Sequence, residues 1–293
     1  MLTEIEVFAP AKVNIGLKVL PRLENEAYHN IESIFQTVNI KDRLRIKIQE
    51  GFDSIKVVSE AFPLPEENTI TKAYHSFRKV AGIQKIPSIL VELEKQIPLG
   101  GGLGGGSSDA AAFILGLEKL LDIKLDGKGH DQIASETGSD VFFFFHMNEE
   151  GKACALVTGR GEKVQEIQRR KDLYFLLVFP QLHSSTKEAY ALVDRHYESG
   201  EAGKIIFPEL KVLEKMYHSP LKCWRFVNSF TPPLAENYSE IRIALEALRE
   251  TGAPFYDMSG SGATVFGVFD SRKEAEAAAE KLCSKGFKTK LSD

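Results

Sequence analysis

Pro98-Leu99-Gly100-Gly101-Gly102-Leu103-Gly104-Gly105-Gly106-Ser107-Ser108, running on into Asp109-Ala110-Ala111, is the stretch on which everything else in this sequence turns. Six glycines in seven positions carry a large entropic cost on folding, and in return the backbone can take positive φ and approach a ligand closely. Several N–H groups can then converge on one point, and at the start of a helix such a nest holds an anion. The helix is expected over Ala110 to Leu121, with Phe113, Leu117 and Leu120 on one face and Ser107 or Ser108 as its cap. A flexible linker is the alternative, but the long helix that follows at once and Pro98 at the entrance argue against it. The loop lacks the terminal Gly-Lys-Ser/Thr of a P-loop. It contains a formal GxGxxG at Gly100, Gly102 and Gly105, but the charged run Glu92-Leu93-Glu94-Lys95 and Pro98 stand where a dinucleotide fold needs a buried strand.

Upstream, Glu4 to Phe8 alternates charged and apolar residues, Pro10 interrupts, and Val13 to Leu20 resumes the strand pattern. Asp42–Ile48, Ile55–Val58 and Ile89–Leu93 read as further strands. Between the last two, Asn68 to Val80 carries a helical stripe with Asn68 as N-cap. Downstream, a helix is expected at Asp131–Glu136 ending at Gly138, and a buried strand at Leu173–Phe179. Helices at Thr186–Arg195, Tyr238–Thr251 and Lys273–Lys285 surround a strand at Ala263–Phe269. The turn-rich Thr158-Gly159-Arg160-Gly161 suggests a division near residue 165, into 1–165 and 166–293.

Of the 293 residues 43% are hydrophobic and 27% charged, a globular balance. A net charge of -4, with Lys and Arg scattered among Asp and Glu, disfavours a nucleic-acid partner. Cys154, Cys223 and Cys283 form no CxxC pair, so three buried, reduced thiols are expected rather than a disulfide framework or zinc site. The remaining histidines show no ligand spacing, so no protein-bound metal is expected. The N-terminus has no signal-peptide pattern and the Phe142–Phe145 run is too short to cross a bilayer, so a soluble, cytoplasmic chain is expected.

The glycine loop resembles the phosphate-binding motif of the galactokinase, homoserine kinase, mevalonate kinase and phosphomevalonate kinase (GHMP) superfamily. Within it the chain is similar to the 4-diphosphocytidyl-2-C-methyl-D-erythritol kinases. Besides the loop, the resemblance is carried by Pro10-Ala11-Lys12-Val13-Asn14, Tyr28-His29, Ser33-Ile34-Phe35-Gln36, Lys41-Asp42, Gly138-Ser139-Asp140-Val141 and Met258 to Phe266. It departs at Glu26-Ala27, where the family has Asp-Gly, and at Phe142, where the family has Pro.

The resemblance implies an α+β, two-domain GHMP-kinase fold: an N-terminal domain like domain 2 of ribosomal protein S5 and a ferredoxin-like C-terminal domain. The implied reaction moves a phosphoryl group from ATP, bound with Mg²⁺, to the 2-hydroxyl of the cytidine-diphosphate-linked methylerythritol. A different kinase of the superfamily, or a non-catalytic protein on the same scaffold, is the alternative. Asp140, by itself a turn or capping residue, becomes the base that deprotonates the acceptor, and Lys12 becomes its partner. Asn14, on the same strand face as Lys12, would orient the substrate. Tyr28, His29 and Tyr190 would surround the cytosine, by stacking and by reading its polar edge. Asn68 and the residues from Pro98 to Ser108 would hold the nucleotide. Gly260–Gly262 would form a second loop over the site, or else a tight turn into the following strand.

Overall fold

The structure is a computed structural model and describes residues 2–22, 28–61, 63–182 and 185–293. The departure at Glu26-Ala27 lies outside the described residues. The first sheet is built on two long strands, β1 (Glu4–Val19) and β2 (Ile31–Phe52), paired antiparallel along nearly their whole length. Pro10 does not break β1. The register shifts by two residues between Pro10 and Ala11, leaving Asn39 and Ile40 as extra residues on β2. A bulge is one of the few places within a sheet where proline is tolerated, because a ladder bond is already missing there.

The opposite edge of β2 is shared by two strands. β4 (Pro87–Glu94) pairs with its C-terminal part and carries the parallel β3 (Ile55–Val58). β5 (Cys154–Gly159) pairs with Ile31–Gln36 and carries β6 (Lys163–Glu166). Four helices, α1 (Thr69–Ala81), α2 (Gly105–Leu121), α3 (Gly127–Thr137) and α4 (Ser139–Phe144), join this sheet around one core. Asn68 caps α1 as expected, its side-chain oxygen accepting from the N–H groups of Ile70 and Thr71 at 3.0 and 3.1 Å.

The second sheet comprises β7 (Tyr174–Phe179), β8 (Phe255–Met258), β9 (Val265–Phe269) and β10 (Lys288–Ser292), all antiparallel in the order β10-β7-β9-β8. Between β7 and β8 lie α5 (Thr186–Glu198), α6 (Leu213–Tyr217), α7 (Thr231–Asn237) and α8 (Ser239–Glu250), and α9 (Arg272–Ser284) leads from β9 into β10. A 4-1-3-2 antiparallel sheet with this connectivity is the ferredoxin-like arrangement.

Strand alternation joins the two halves. Ala11, Val13 and Ile15 of β1 enter a core with Phe175, Leu177, Phe266 and Val268 of the second sheet and with Trp224 and Phe226. Lys12 and Asn14 consequently point to the other side of β1. All three cysteines are free, as expected, but only Cys154 is buried; Cys223, in a short 3-10 turn, and Cys283, on α9, are exposed, contrary to expectation. Among the described residues no helix is long and apolar enough to cross a membrane. Phe266 is fully buried in the shared core. Phe266→Ala should lower the unfolding free energy by about 3–5 kcal/mol, read as a reduced denaturant midpoint at unchanged slope.

Candidate active site

The glycine loop begins at the end of β4 and hands over to α2 earlier than the sequence suggests. The helix starts at Gly105, and Gly104 rather than a serine is its N-cap. Ser107 and Ser108 lie inside the first turns, because the glycines themselves take helical geometry once the chain has turned at Gly104. No side chain caps this helix. Its first internal bond runs from the Ser108 N–H to the Gly104 carbonyl at 2.9 Å, so the N–H groups of Gly105, Gly106 and Ser107 have no partner within the helix. That is the donor set an anion needs. Leu103, buried, anchors the loop in the shared core, while Pro98 is half-buried and Leu99 exposed.

The loop is held from the other domain. Gly102 has φ +72°, and a Cβ on it would lie 2.0 Å from the Ser259 carbonyl oxygen. Ser259 begins the tight turn that leads into β9, closed by a bond from the Gly262 N–H to the Ser259 carbonyl at 3.0 Å. Its hydroxyl donates to the Gly102 carbonyl at 3.0 Å. Asn228, fully buried, donates to the carbonyls of Met258 and Gly260 at 2.7 and 2.9 Å and so braces this turn. The Met258–Gly262 segment is therefore both the tight turn and a second loop packed on the first. Its sequence signal was the Ser-Gly-Ser-Gly run, but nothing in the sequence pointed to Asn228.

Lys12 lies where these elements meet. Its ammonium donates to Asn14 Oδ1 at 2.6 Å and to the Gly102 carbonyl at 3.1 Å, and faces Asp140 Oδ2 at 3.3 Å. An ammonium has three protons, and three acceptors surround this one. The Phe35 ring lies 4.7 Å away. Asp140, in the first turn of α4, makes no capping bond; its side chain is 29% exposed where that of Lys12 is 4%. Asn14 also donates to Ser33 Oγ at 3.3 Å, which accounts for the serine of the Ser33–Gln36 segment.

The expected cytosine residues divide. His29 and Tyr190 stack on each other, ring centres 5.2 Å apart. The His29 Nδ1–H donates to the Leu20 carbonyl at 2.9 Å, and Asp194 Oδ1 lies 3.1 Å from Nε2. Burial, with the charge of Asp140, pushes the Tyr190 phenol up to about 12. Tyr28 points outward, 63% exposed, with Arg160 over its ring. Asn68 stands at the mouth of the loop through its neighbour, since Thr69 Oγ1 lies 3.3 Å from where a Cβ on Gly106 would be. Its own amide is engaged in capping and in a bond to the Pro65 carbonyl.

Two domains meeting at a glycine loop, with a buried lysine joining that loop to a carboxylate, define a GHMP-type small-molecule kinase. The GHMP kinases N terminal domain matches residues 68–148 and the GHMP kinases C terminal domain matches residues 206–288. The chain is 34% identical over 290 residues to the 4-diphosphocytidyl-2-C-methyl-D-erythritol kinase of Treponema pallidum, covering 97% of this chain and 96% of that one. It is also 34% identical to the enzyme of that name from Thermodesulfovibrio yellowstonii, covering 92% and 90%. A crystal structure of 4-(cytidine 5'-diphospho)-2C-methyl-D-erythritol kinase superposes with a TM-score of 0.76 at 28% identity, covering 98% of both chains. Homoserine kinase from Cytophaga hutchinsonii, at 18% identity, TM-score 0.69 and coverage of 99% and 94%, shares the fold. The chain thus belongs to the GHMP kinases and, within them, to the 4-diphosphocytidyl-2-C-methyl-D-erythritol kinase family. It is an ATP-dependent phosphotransferase acting on a small molecule.

Two outcomes test this geometry. Gly102→Ala, which sets a methyl against the Ser259 carbonyl, should abolish measurable ADP binding and lower Tm. Gly127→Ala, at a position with nothing within 4 Å, should leave both unchanged. Asp257, beside the second loop, accepts from the Thr231 hydroxyl at 2.5 Å and the Met258 N–H at 2.8 Å, and burial still pushes its carboxyl up to about 6. A carboxyl raised in the folded state stabilises at low pH, and that contribution is lost as pH rises through the folded value. Between about pH 4 and about pH 7 the unfolding free energy of wild type should therefore fall relative to Asp257→Asn, as chemical denaturation across that range would show.

Proposed function

We propose that this chain transfers the γ-phosphoryl group of ATP to the 2-hydroxyl of 4-diphosphocytidyl-2-C-methyl-D-erythritol, releasing ADP. The observation that carries the proposal is the Lys12 ammonium, which ties the Gly102 carbonyl of the phosphate loop to the Asp140 carboxylate. Phosphoryl transfer needs alignment, charge neutralisation and a proton acceptor, and little covalent help. In this reading the N–H groups of Gly105, Gly106 and Ser107 bind the phosphates, with the rest of Pro98 to Ser108 shaping the cradle. Asp140 takes the acceptor's proton as its oxygen bonds to phosphorus and the bond to ADP breaks. Lys12 stabilises the charge developing on that oxygen, and Asn14 fixes Lys12 through its side-chain carbonyl. His29 and Tyr190 form one aromatic wall for the cytidyl group. Tyr28, on the outer side, is assigned to the base itself, and Asn68 to the adenosine end.

Magnesium fits as an ion carried by the nucleotide. It keeps most of its waters and needs few protein ligands. The buried Ser108 hydroxyl, at the first turns of α2 with no hydrogen-bond partner, is the protein oxygen suited to it. When bound, the ion would neutralise charge on the phosphate oxygens. A division of the chain near residue 165 falls at the end of β6, before the second sheet begins. The free cysteines suit a reducing cytoplasm.

Incubation of the purified protein with ATP, Mg²⁺ and the cytidyl substrate should yield the phosphorylated product, and CDP should raise Tm. Turnover of mevalonate or homoserine instead, with no response to CDP, would overturn the substrate assignment. Asp140→Asn should lower kcat by about 10²–10⁴-fold with ADP affinity unchanged. Lys12→Met should lose turnover and weaken ADP as well, because it frees the Gly102 carbonyl.

A further inference from the structure

Against the start of α2 a second lysine is buried between two carboxylates. The side chains of Lys95, Asp42 and Asp109 are 6%, 0% and 4% exposed. Lys95 Nζ donates to Asp42 Oδ2 in a short contact and to Asp109 Oδ2 at 2.8 Å. Asp42 Oδ1 accepts from the N–H groups of Gln96 and Ile97 at 2.6 and 2.8 Å, the last two residues before Pro98. Asp109 is the fifth residue of α2, one turn past the point where the loop ends. Lys95 Nζ is also 3.3 Å from where a Cβ on Gly105 would lie.

We propose that Asp42, Lys95 and Asp109 form a clamp that fixes both ends of the phosphate loop, and that they act as positioning residues for nucleotide binding. Asp42 holds the entrance, Asp109 holds the exit, and the lysine joins them. The proposal rests on the reading of the loop as a nucleotide-phosphate cradle. A loop with six glycines in seven positions has only the Leu103 side chain of its own with which to limit its conformations. Fixing its ends at one buried point restricts the directions in which the Gly105, Gly106 and Ser107 N–H groups can turn. Misplacing the groups that position a substrate by about 1 Å can cost about 10²-fold in rate.

A purely stabilising role predicts something different. Taking three charged groups out of water is costly, and buried ion pairs are often replaced by apolar side chains of similar size with no loss of stability. Burial lowers the Lys95 ammonium, but the two carboxylates outweigh it and leave it above its ordinary value. Burial pushes the Asp109 carboxyl up to about 7 against the pull of Lys95, and its Oδ1 has no hydrogen-bond partner. An asparagine at this position keeps an acceptor oxygen for Lys95 Nζ, which makes it the conservative replacement.

The test is ADP affinity by calorimetry, with fold monitored by circular dichroism and Tm, on wild type, Asp109→Asn, Asp109→Ala and Lys95→Met/Asp109→Leu. Asp109→Asn should bind within about threefold of wild type, and the other two should weaken ADP by about tenfold or more. The KM of the cytidyl acceptor should stay unchanged in all of them, whereas a loss of folded protein would lower kcat and leave both KM values alone. Wild-type ADP affinity in a folded Lys95→Met/Asp109→Leu protein would overturn the clamp. So would a tenfold loss in a folded Asp109→Asn, since charge and not hydrogen bonding would then be the requirement. If the apolar double variant fails to fold, the comparison of Asp109→Asn with Asp109→Ala decides the matter. Absence of ADP binding by wild type would instead refute the proposed function and leave a nucleotide-independent loop.

Discussion

The Ser259 carbonyl oxygen occupies the space that a side chain on residue 102 would need, and the rest of the site follows from that contact. Two backbones can approach this closely only where one of them has no Cβ and can take positive φ. The approach brings the Ser259 hydroxyl onto the Gly102 carbonyl and within 3.3 Å of the Asn14 N–H, so a turn of the second domain is fastened to both β1 and the loop of the first. Lys12, on the same face of β1 as Asn14, then reaches the other side of the Gly102 carbonyl. One main-chain oxygen thus receives a donor from each domain. The orientation of the glycine loop relative to Asp140 depends on that shared acceptor, which residue 102 can offer only as a glycine.

Much of this was legible in the residues. The glycine run, the α1 cap at Asn68 and the Lys12/Asn14 alternation depend on local rules or on spacing along a single strand, whereas the pairing of Lys12 with Asp140 joins β1 to α4 and was signalled only by the family resemblance. Other features depend on partners far away in the chain. β2 was visible only over Asp42 to Ile48 because its N-terminal half, Ile31 to Ile40, is buried on both faces apart from Glu32 and Asn39 and does not alternate. The pairing of β10 with the edge of β7 left only a short Lys-rich segment in the sequence, the composition of a protected edge and not of a core strand. The start of α2 was misread because glycine is a poor helix former, and its low propensity hid a helix whose first two residues carry no side chain. Asn228 and Lys95 carried no local signal at all, since each acts on backbone or carboxylate groups brought in by the fold.

The handling of charge separates scaffold from site. On the outer face of the first sheet, Glu4, Glu6, Arg43, Arg45, Lys47, Glu92 and Glu94 form cross-strand pairs in contact with water. Such pairs contribute little each and are screened by salt. They account for the even scatter of acids and bases in the composition. The buried charges are handled differently. Lys12 has three acceptors around three protons, and Lys95 has a carboxylate on each side. An unpaired charge at either place would cost several kcal/mol, so the partners are a condition of burial.

Asp140 departs from this pattern in a way the proposed reaction requires. Its partner is sealed, yet the carboxylate itself remains 29% exposed, as a group must if an incoming hydroxyl is to reach it. The exposure comes from the backbone: α3 ends at Thr137, α4 begins at Ser139, and only Gly138 lies between. With so short a joint α4 changes direction at once, and its second residue sits at the seam between the domains while Val141, Phe143 and Phe144 fill the core. Across that seam the Tyr190 phenol feels the Asp140 charge, and Tyr190 is in turn stacked on His29. The carboxylate is anchored by a sealed lysine, lies near enough to the stacked pair for its charge to raise the Tyr190 phenol, and is still partly open to solvent. An acceptor whose base lay against that pair would have to bring its hydroxyl to the part of the carboxylate that remains open.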